Sequence, residues 1–301
     1  MPRLADVIEI LDALYPPHTA ADWDAVGLVV GDPDAEVGRI VFAVDPVAAT
    51  VGEAIEAGAD LLLTHHPLFL RGVHGVPGTT AKGRLVHRLI ASECALFTAH
   101  TNADVASPGV SDCLAARLGL TDVRILAAPD ESSASSGGTG GLGYGRVGVL
   151  DRPTTLRDLL RTAVGALPET ASGLRAAGDP DRLVRTVAVC GGAGDAFLAA
   201  AVASGADVYL TADLRHHPAS EHGESSGTSG PALIDAPHWA SERPWLDDVA
   251  ARLRHALERS GATVECLVSD IVTDPWTMHA ALGSTRGGDR AARSPDRPEV
   301  P

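Results

Sequence analysis

With 301 residues and 45% hydrophobic content, the chain is long enough for two domains that each bury a core. A formal charge of −15 excludes roles built on a basic surface, such as coating nucleic acid or anionic membranes, although bound metal ions would supply positive charge locally. Aromatic residues make up only 4%, so the cores must be assembled from Ala, Val and Leu; Lys82 is the only lysine, which reads as base-composition bias. Met1-Pro2-Arg3 leads directly into an amphipathic pattern, and no apolar run reaches membrane-spanning length, so a cytoplasmic, soluble protein is expected. Cys94, Cys113, Cys190 and Cys266 are widely spaced without C-x-x-C pairs and read as buried free thiols rather than a zinc finger or disulfide scaffold.

Leu4, Val7, Ile8, Leu11 and Leu14 recur at helical spacing and Pro16-Pro17 stops them, which predicts a first amphipathic helix. Residues 22–31 read as a turn followed by a short strand. Residues 40–44 read as a buried strand ending in Asp45, 47–57 as a helix with Gly58 just beyond it, and 61–64 as a parallel strand. This β-α-β unit puts Asp45 and His65 on one sheet edge. The second strand delivers His65, His66 and the helix-incompatible Pro67 at its carboxyl end, where an open α/β sheet keeps its chemistry. Two successive imidazoles at a corner can point in different directions and serve two ions, although a solvated histidine pair in a loop explains the dipeptide alone equally well.

Residues 83–92 predict a helix and 94–99 a strand, which again ends in a polar cluster, His100-Thr101-Asn102-Ala103-Asp104, on the same rim. A helix over 109–118, closed by Gly119, completes this half. The Ser/Gly tract 132–145 has the composition of a mobile connector or loop. Beyond it come a strand over 146–150, a helix over 154–166 and a strand over 183–190 that runs into Gly191-Gly192-Ala193-Gly194. A glycine turn before a helix can cradle phosphate, but the spacing fits neither a Walker loop nor G-x-G-x-x-G, and a plain tight turn explains it too.

Residues 54–64 and 201–211 match as helix end, Gly-Ala-Asp turn, strand and terminal Thr, so the halves read as related α/β units. The echo breaks at the chemistry: Ala212-Asp213 replaces His65-His66, and His216, His217 and His222 follow later. Residues 232–235 predict a strand, followed by a helix with Trp245, Val249, Leu253 and Leu257 on one face. If that helix begins near His238, Glu242 lies one turn on and the two can reach a common site. A last strand covers 263–268, and the Gly/Arg/Pro-rich stretch from about 283 has the composition of a disordered tail.

Three strand ends thus offer His65 and His66, Asp104 with His100 nearby, and His238 with Glu242. Three imidazoles and two carboxylates are the donor set that two divalent transition ions need. Ions roughly 3.5–4 Å apart can share a water and clamp a phosphoryl or carbonyl oxygen. Taken singly, Glu242 is explained as an acidic first helical turn and Asp104 as a turn residue. Three polar clusters at three strand ends are harder to explain that way.

The runs WDAVGLVVG (23–31), GADLLLTHHPLF (58–69), HTNADVASPGVSDCLAARLGL (100–120), VAVCGGAGDAFL (187–198), GADVYLTADLRHH (205–217) and IDAPHWASE (234–242) together resemble the NIF-three-like dinuclear metal-centre family, known as GTP cyclohydrolase 1 type 2 homologues. The resemblance covers residues 3 to about 275. It implies an α/β fold of two linked domains of related topology with the metal site at strand C-terminal ends, and a ring-shaped homohexamer. It also implies the ligands His65, His66, Asp104, His238 and Glu242, with Asp104 and Glu242 bridging. Residues 1–125 plus 233–278 are expected to form the metal-binding domain, 126–232 the second domain and 279–301 the tail. The family commonly has Thr-Gly-Glu or Thr-Gly-Asp where this chain has Thr211-Ala212-Asp213, and Ala212 would tighten a backbone that glycine leaves free. It has Gly-His where this chain has Pro237-His238, and Pro237 would help fix the start of the helix.

The expected function is a metal-dependent hydrolase with two divalent ions per subunit (Zn, Fe, Mn, Co or Ni), acting on an unidentified phosphorylated or nucleotide-like small molecule. His100, Asp213 and His217, with His216, are candidates for orienting ligands or transferring protons. GTP cyclohydrolase activity is what the family label implies, though no residue reads guanine. The competing class is a non-enzymatic ring that binds or delivers metal or engages a partner; filled coordination spheres would favour it.

Overall fold

Apolar runs buried on both faces make the centre of the first sheet. β2 (Arg39–Ala43), β3 (Leu61–Thr64) and β4 (Ala95–Thr98) lie parallel, and every residue of β3 and β4 is buried. β1 (Gly27–Val30) joins one edge antiparallel and β11 (Glu265–Val268) the other parallel, giving the order β1-β4-β3-β2-β11. Alternate strand residues then sort the helices. Ile40, Phe42, Leu61 and Leu63 pack with α1 (Leu4–Leu14) and α9 (His238–Arg259), while Val41, Ala43 and Leu62 pack with α2 (Ala48–Glu56) and α3 (Ala81–Ala91). The computed structural model describes residues 1–128 and 141–280.

The second sheet runs β5-β6-β8-β9-β10-β7. Its centre, β8 (Leu183–Ala193), β9 (Val208–Ala212) and β10 (Ala232–Ala236), is again parallel. β5 (Thr121–Ala127), β6 (Tyr144–Thr155) and β7 (Arg175–Ala177) are antiparallel to their neighbours. α5 (Val110–Arg117) and α6 (Leu156–Ala166) cover one face, and α7 (Leu198–Ala203) and α8 (His216–Ser226) the other.

The Gly-Ala-Asp echo has a structural meaning. Asp60 accepts hydrogen bonds from the backbone N–H groups of Gly38 (2.7 Å) and Arg39 (2.8 Å), and Asp207 from those of Arg185 (2.8 Å) and Thr186 (2.9 Å). In each half the aspartate before the central strand ties down the start of the strand before it. Both halves therefore share one β-α-β-α-β parallel core, the related topology that the repeated sequence implied.

Some elements differ from their sequence signals. β5 and β10 hydrogen-bond into the second sheet, so that sheet takes strands from 121 to 236, wider than 126–232. β7 and α8 carried no readable signal: all three residues of β7 are exposed, and α8 buries only His222. Gly191-Gly192-Ala193 belongs to an irregular end of β8, with Gly192 at φ +67°, and Gly194 leads into a 3-10 turn over Asp195–Phe197. The positive φ near Thr211 falls on Asp213 (55°), while Ala212 stays in β9, so alanine strains nothing. Most of the Ser/Gly tract, and the tail beyond 283, lie outside the described residues. No described helix is long and apolar enough to cross a membrane.

Candidate metal centre

The two histidines after β3 are held by the ladder before their side chains do anything. His65 and His66 donate backbone N–H bonds to Ala43 (3.2 Å) and Val44 (2.9 Å), and the Thr64 hydroxyl closes the corner onto the His66 carbonyl. His65 is fully buried, and its Nδ1–H donates to the Ala99 carbonyl at 2.9 Å, which turns Nε2 inward. His66 Nδ1 is held by Asp45 Oδ1 at 2.7 Å. Asp45 Oδ2 accepts in turn from the Thr273 hydroxyl.

β10 delivers the third strand end. Pro237 is the N-cap of α9 and His238 its first residue, as Pro237-His238 implied, so Glu242 falls one turn later on the same side. His238 Nδ1 is held by Asp213 Oδ2 at 2.7 Å, and the ion pair from its Nε2 to Glu242 Oε1 is 2.9 Å long. Three imidazoles thus have Nδ1 tied outward and Nε2 turned toward one carboxylate. Glu242 lies 3.1 Å from His66 Nε2 and 3.4 Å from His65 Nε2. His66 and His238 approach Nε2 to Nε2 at 3.3 Å.

Asp104 closes the far side, with Oδ1 3.7 Å from His65 Nε2. It sits in α4 (Thr101–Val105), a five-residue helix that sequence periodicity is too short to reveal. His100, the residue before α4, has its ring within 5.1 Å of His65 and 5.5 Å of His66. Its Nδ1 meets Asp24 Oδ1 at 2.8 Å, and Asp24 also accepts from the Thr101 N–H and hydroxyl. The sequence reading missed Asp24 as a partner, although the WDAVGL run contains it. His216 and His217 open α8, exposed and edge-on to each other at 5.2 Å, outside the hydrogen bonds and ion pairs of the cluster.

The electrostatics follow from burial. Burial opposes the charge on Glu242, but His66, His238 and His65 outweigh it and hold the carboxyl well below the usual range. Burial likewise opposes protonation of His66 and His238, yet Glu242 and the anchoring aspartates push them up to about 10 and about 11. Burial pushes the Asp104 carboxyl up, against the pull of His65.

This donor set fits a metal. His65 Nε2 and Glu242 Oε2 are buried without a hydrogen-bond partner, a costly condition unless something else satisfies them. Two overlapping groups, His65/His66/His100 and His66/His238/Glu242, each bring their donor atoms within 4.8 Å of one another, and each could hold a metal ion. Gly191 and Gly192 let β8 lie against this cluster. A Cβ on Gly192 would stand 2.4 Å from Glu242 Oε1 and 3.2 Å from His238 Nε2.

The Duf34/NIF3 (NGG1p interacting factor 3) family profile matches residues 2–275. A "GTP cyclohydrolase 1 type 2 homolog" of Streptomyces coelicolor is 53% identical over 285 residues, covering 95% of this chain and 97% of that protein. One of the same description from Mycobacterium tuberculosis is 40% identical and covers 93% and 98%; that alignment spans 380 positions, so the relative carries an insertion that this 301-residue chain lacks. Among solved structures, a Staphylococcus aureus hypothetical protein superposes with a TM-score of 0.81 at 28% identity, covering 92% of this chain and 99% of that one. A Bacillus cereus protein related to NIF3 gives 0.81 at 24%, covering 93% and 99%, a likeness of fold. With nearly its whole described length matched, this chain belongs to the Duf34/NIF3 family.

Proposed function

We propose that the protein is a dinuclear metal-dependent hydrolase, in which His65, His66, Asp104, His238 and Glu242 would hold the ions. The observation that carries this is the pair of buried atoms without a hydrogen bond, His65 Nε2 and Glu242 Oε2, inside a cluster where the Nδ1 atoms of His65, His66 and His238 are all anchored and Glu242 Oε2 has, among the described contacts, only the ion pair with His66 Nε2 at 3.1 Å. Divalent ions held there would supply Lewis acidity toward a phosphoryl or carbonyl oxygen. The protein residues supply orientation and proton handling. Asp45 and Asp213 fix the rings of His66 and His238, so the donor atoms need not reorganise on binding.

Hydrolysis adds water across the scissile bond, and one proton must leave the attacking water and reach the leaving group. His100 is suited to carry it: Asp24 holds Nδ1, which leaves Nε2 as the atom facing the cluster. Asp213 orients His238, and His217 has no part in this step. A cytoplasmic homohexamer, with the segments on either side of the second sheet forming one metal-binding domain, completes the proposal. Sedimentation of the purified protein tests the assembly.

The deciding experiment is metal analysis of the purified protein followed by turnover of nucleotides and phosphoesters, GTP included. Two ions per chain and a hydrolysed substrate, with turnover lost in His100→Asn at unchanged metal content, is the expected result. Bound metal without turnover of any compound would support the non-enzymatic alternative, a metal-binding or metal-delivering assembly.

A further inference from the structure

We propose that the cavity beside the histidine cluster takes the non-reacting part of the substrate, that Trp276 is its specificity-determining contact, and that the group bound there is a flat ring, neutral or positively charged. This rests on the metal-dependent reading above and adds what the site selects.

The cavity encloses about 980 Å³ and opens directly from His66 and His238, a size that suits a small molecule. One wall is the segment after β11. Trp276 on that segment is 68% exposed, and its backbone is tied down: the main-chain N–H donates to Asp274 Oδ1 at 2.8 Å, Asp274 is buried, and Thr273 is bonded to Asp45. A large indole face on an anchored backbone, left open to solvent and lining the cavity that His66 and His238 also line, is surface that a ring can cover.

The charges on the wall decide what kind of ring. Asp45, Asp213, Asp235 and Asp274 set four carboxylates against one guanidinium, Arg175, which pairs with Asp235 at 2.6 Å and leaves the wall with an excess of negative charge. His279 also lines the cavity. Ions bound beside His66 and His238 would favour an electron-rich oxygen there, and the carboxylates of the wall favour N–H donors or positive charge on the rest of the ligand, which the Trp276 face also attracts. A polyphosphate tail laid along this wall would meet carboxylates in excess of its one guanidinium, which is already paired.

Phosphonates sharing one metal-binding head test this on the zinc-loaded full-length protein by calorimetry: methylphosphonate, benzylphosphonate, 4-(aminomethyl)benzylphosphonate and 4-carboxybenzylphosphonate. Benzylphosphonate is expected to bind about tenfold tighter than methylphosphonate, the aminomethyl compound at least as tightly as benzyl, and the carboxy compound several-fold more weakly. Trp276→Ala should erase the benzyl advantage without changing zinc content or methylphosphonate affinity. Equal affinity for methyl and benzyl heads, tightest binding of the carboxy compound, an undiminished benzyl advantage in Trp276→Ala, or zinc uptake with no phosphonate bound would each overturn the inference and leave the metal centre standing. Failure to take up zinc, seen by metal analysis before any phosphonate is added, would overturn both.

Discussion

His66 and His238 meet Nε2 to Nε2 at 3.3 Å, while each Nδ1 is fixed by its own aspartate at 2.7 Å. Two imidazole lone pairs repel at that separation unless a proton or a cation stands between them. In the ion-free protein each ring keeps its proton with Glu242 at 3.1 and 2.9 Å as the acceptor, because Glu242 and the aspartates outweigh burial and push His66 up to about 10 and His238 up to about 11. A divalent ion must displace such protons. Zinc uptake at neutral pH should release protons, and zinc affinity should rise with pH from about 6 to about 9. Calorimetry in buffers of different ionisation enthalpy reads both; uptake without proton release would contradict the assignment of these rings as ligands.

The same protons govern the stability of the ion-free protein. Both imidazoles bind a proton more tightly when folded than when unfolded, where the value is near 6.5. Their contribution is fully present below about 6.5 and is lost as pH rises through the folded values, about 10 and about 11. The Tm of chelator-treated protein should therefore fall between pH 7 and pH 10. Zinc-loaded protein should not follow that decline, since its imidazoles carry metal in place of protons. Scanning calorimetry at several pH values separates the two.

Glu242 is the carboxylate on which all three rings converge, and it is 3% exposed. Glu242→Gln keeps the volume and removes the charge. Zinc affinity should drop by more than about 100-fold, beyond the range for residues that only orient a ligand. Without the opposing charge, burial should also return the proton affinities of His66 and His238 toward or below ordinary values. Imidazole NMR titration of the ion-free variant measures this directly, and unchanged titration would show that Glu242 is not what holds those protons.

Thr273 reaches the centre through another residue. Its hydroxyl donates to Asp45 Oδ2, whose Oδ1 holds His66 Nδ1, so the segment after β11 clamps the carboxylate that aims His66. Asp213, which aims His238, has a 59% exposed side chain and accepts from His238 alone among the described hydrogen bonds. Thr273→Val should weaken zinc binding about tenfold, while Thr273→Ser restores it. The visible spectrum of the cobalt-substituted protein should change in the first variant and not in the second; a stability loss without that spectral change would mean Thr273 only packs.

Much of this centre was legible because buried parallel strands advertise themselves as short apolar runs and their ends fall on one rim. The runs before His65, His100 and His238 needed no long-range information. What could not be read was how the far parts of the chain close around them. Asp24 lies 76 positions from His100, and Thr273 lies 228 from Asp45. Local periodicity says nothing about such pairs, and β7 and α8 bury too little to leave a pattern. The sequence offers His217 as a candidate for orienting ligands or transferring protons; only the fold separates its exposed helix start from the buried corner of His65 and His66.

Gly192 ties backbone shape to the chemistry at one position. Its φ is +67°, and a Cβ there would press to 2.4 Å from Glu242 Oε1 and 3.2 Å from His238 Nε2. Gly192 N also donates to Ser241 Oγ at 2.9 Å, and its carbonyl accepts from Thr211 Oγ1 at 3.0 Å, so the strand end cannot easily retreat. Gly192→Ala therefore pays about 1–2 kcal/mol for the left-handed backbone and must also move the carboxylate on which the rings converge. The expected outcome is a lowered Tm together with a zinc affinity at least about tenfold weaker. Gly205→Ala is the control: its φ is +73°, and nothing lies within 4 Å of the added Cβ. That variant should lose similar stability and keep its zinc affinity. If both variants bound zinc equally well, Gly192 would serve the turn of the chain and not the spacing of the centre.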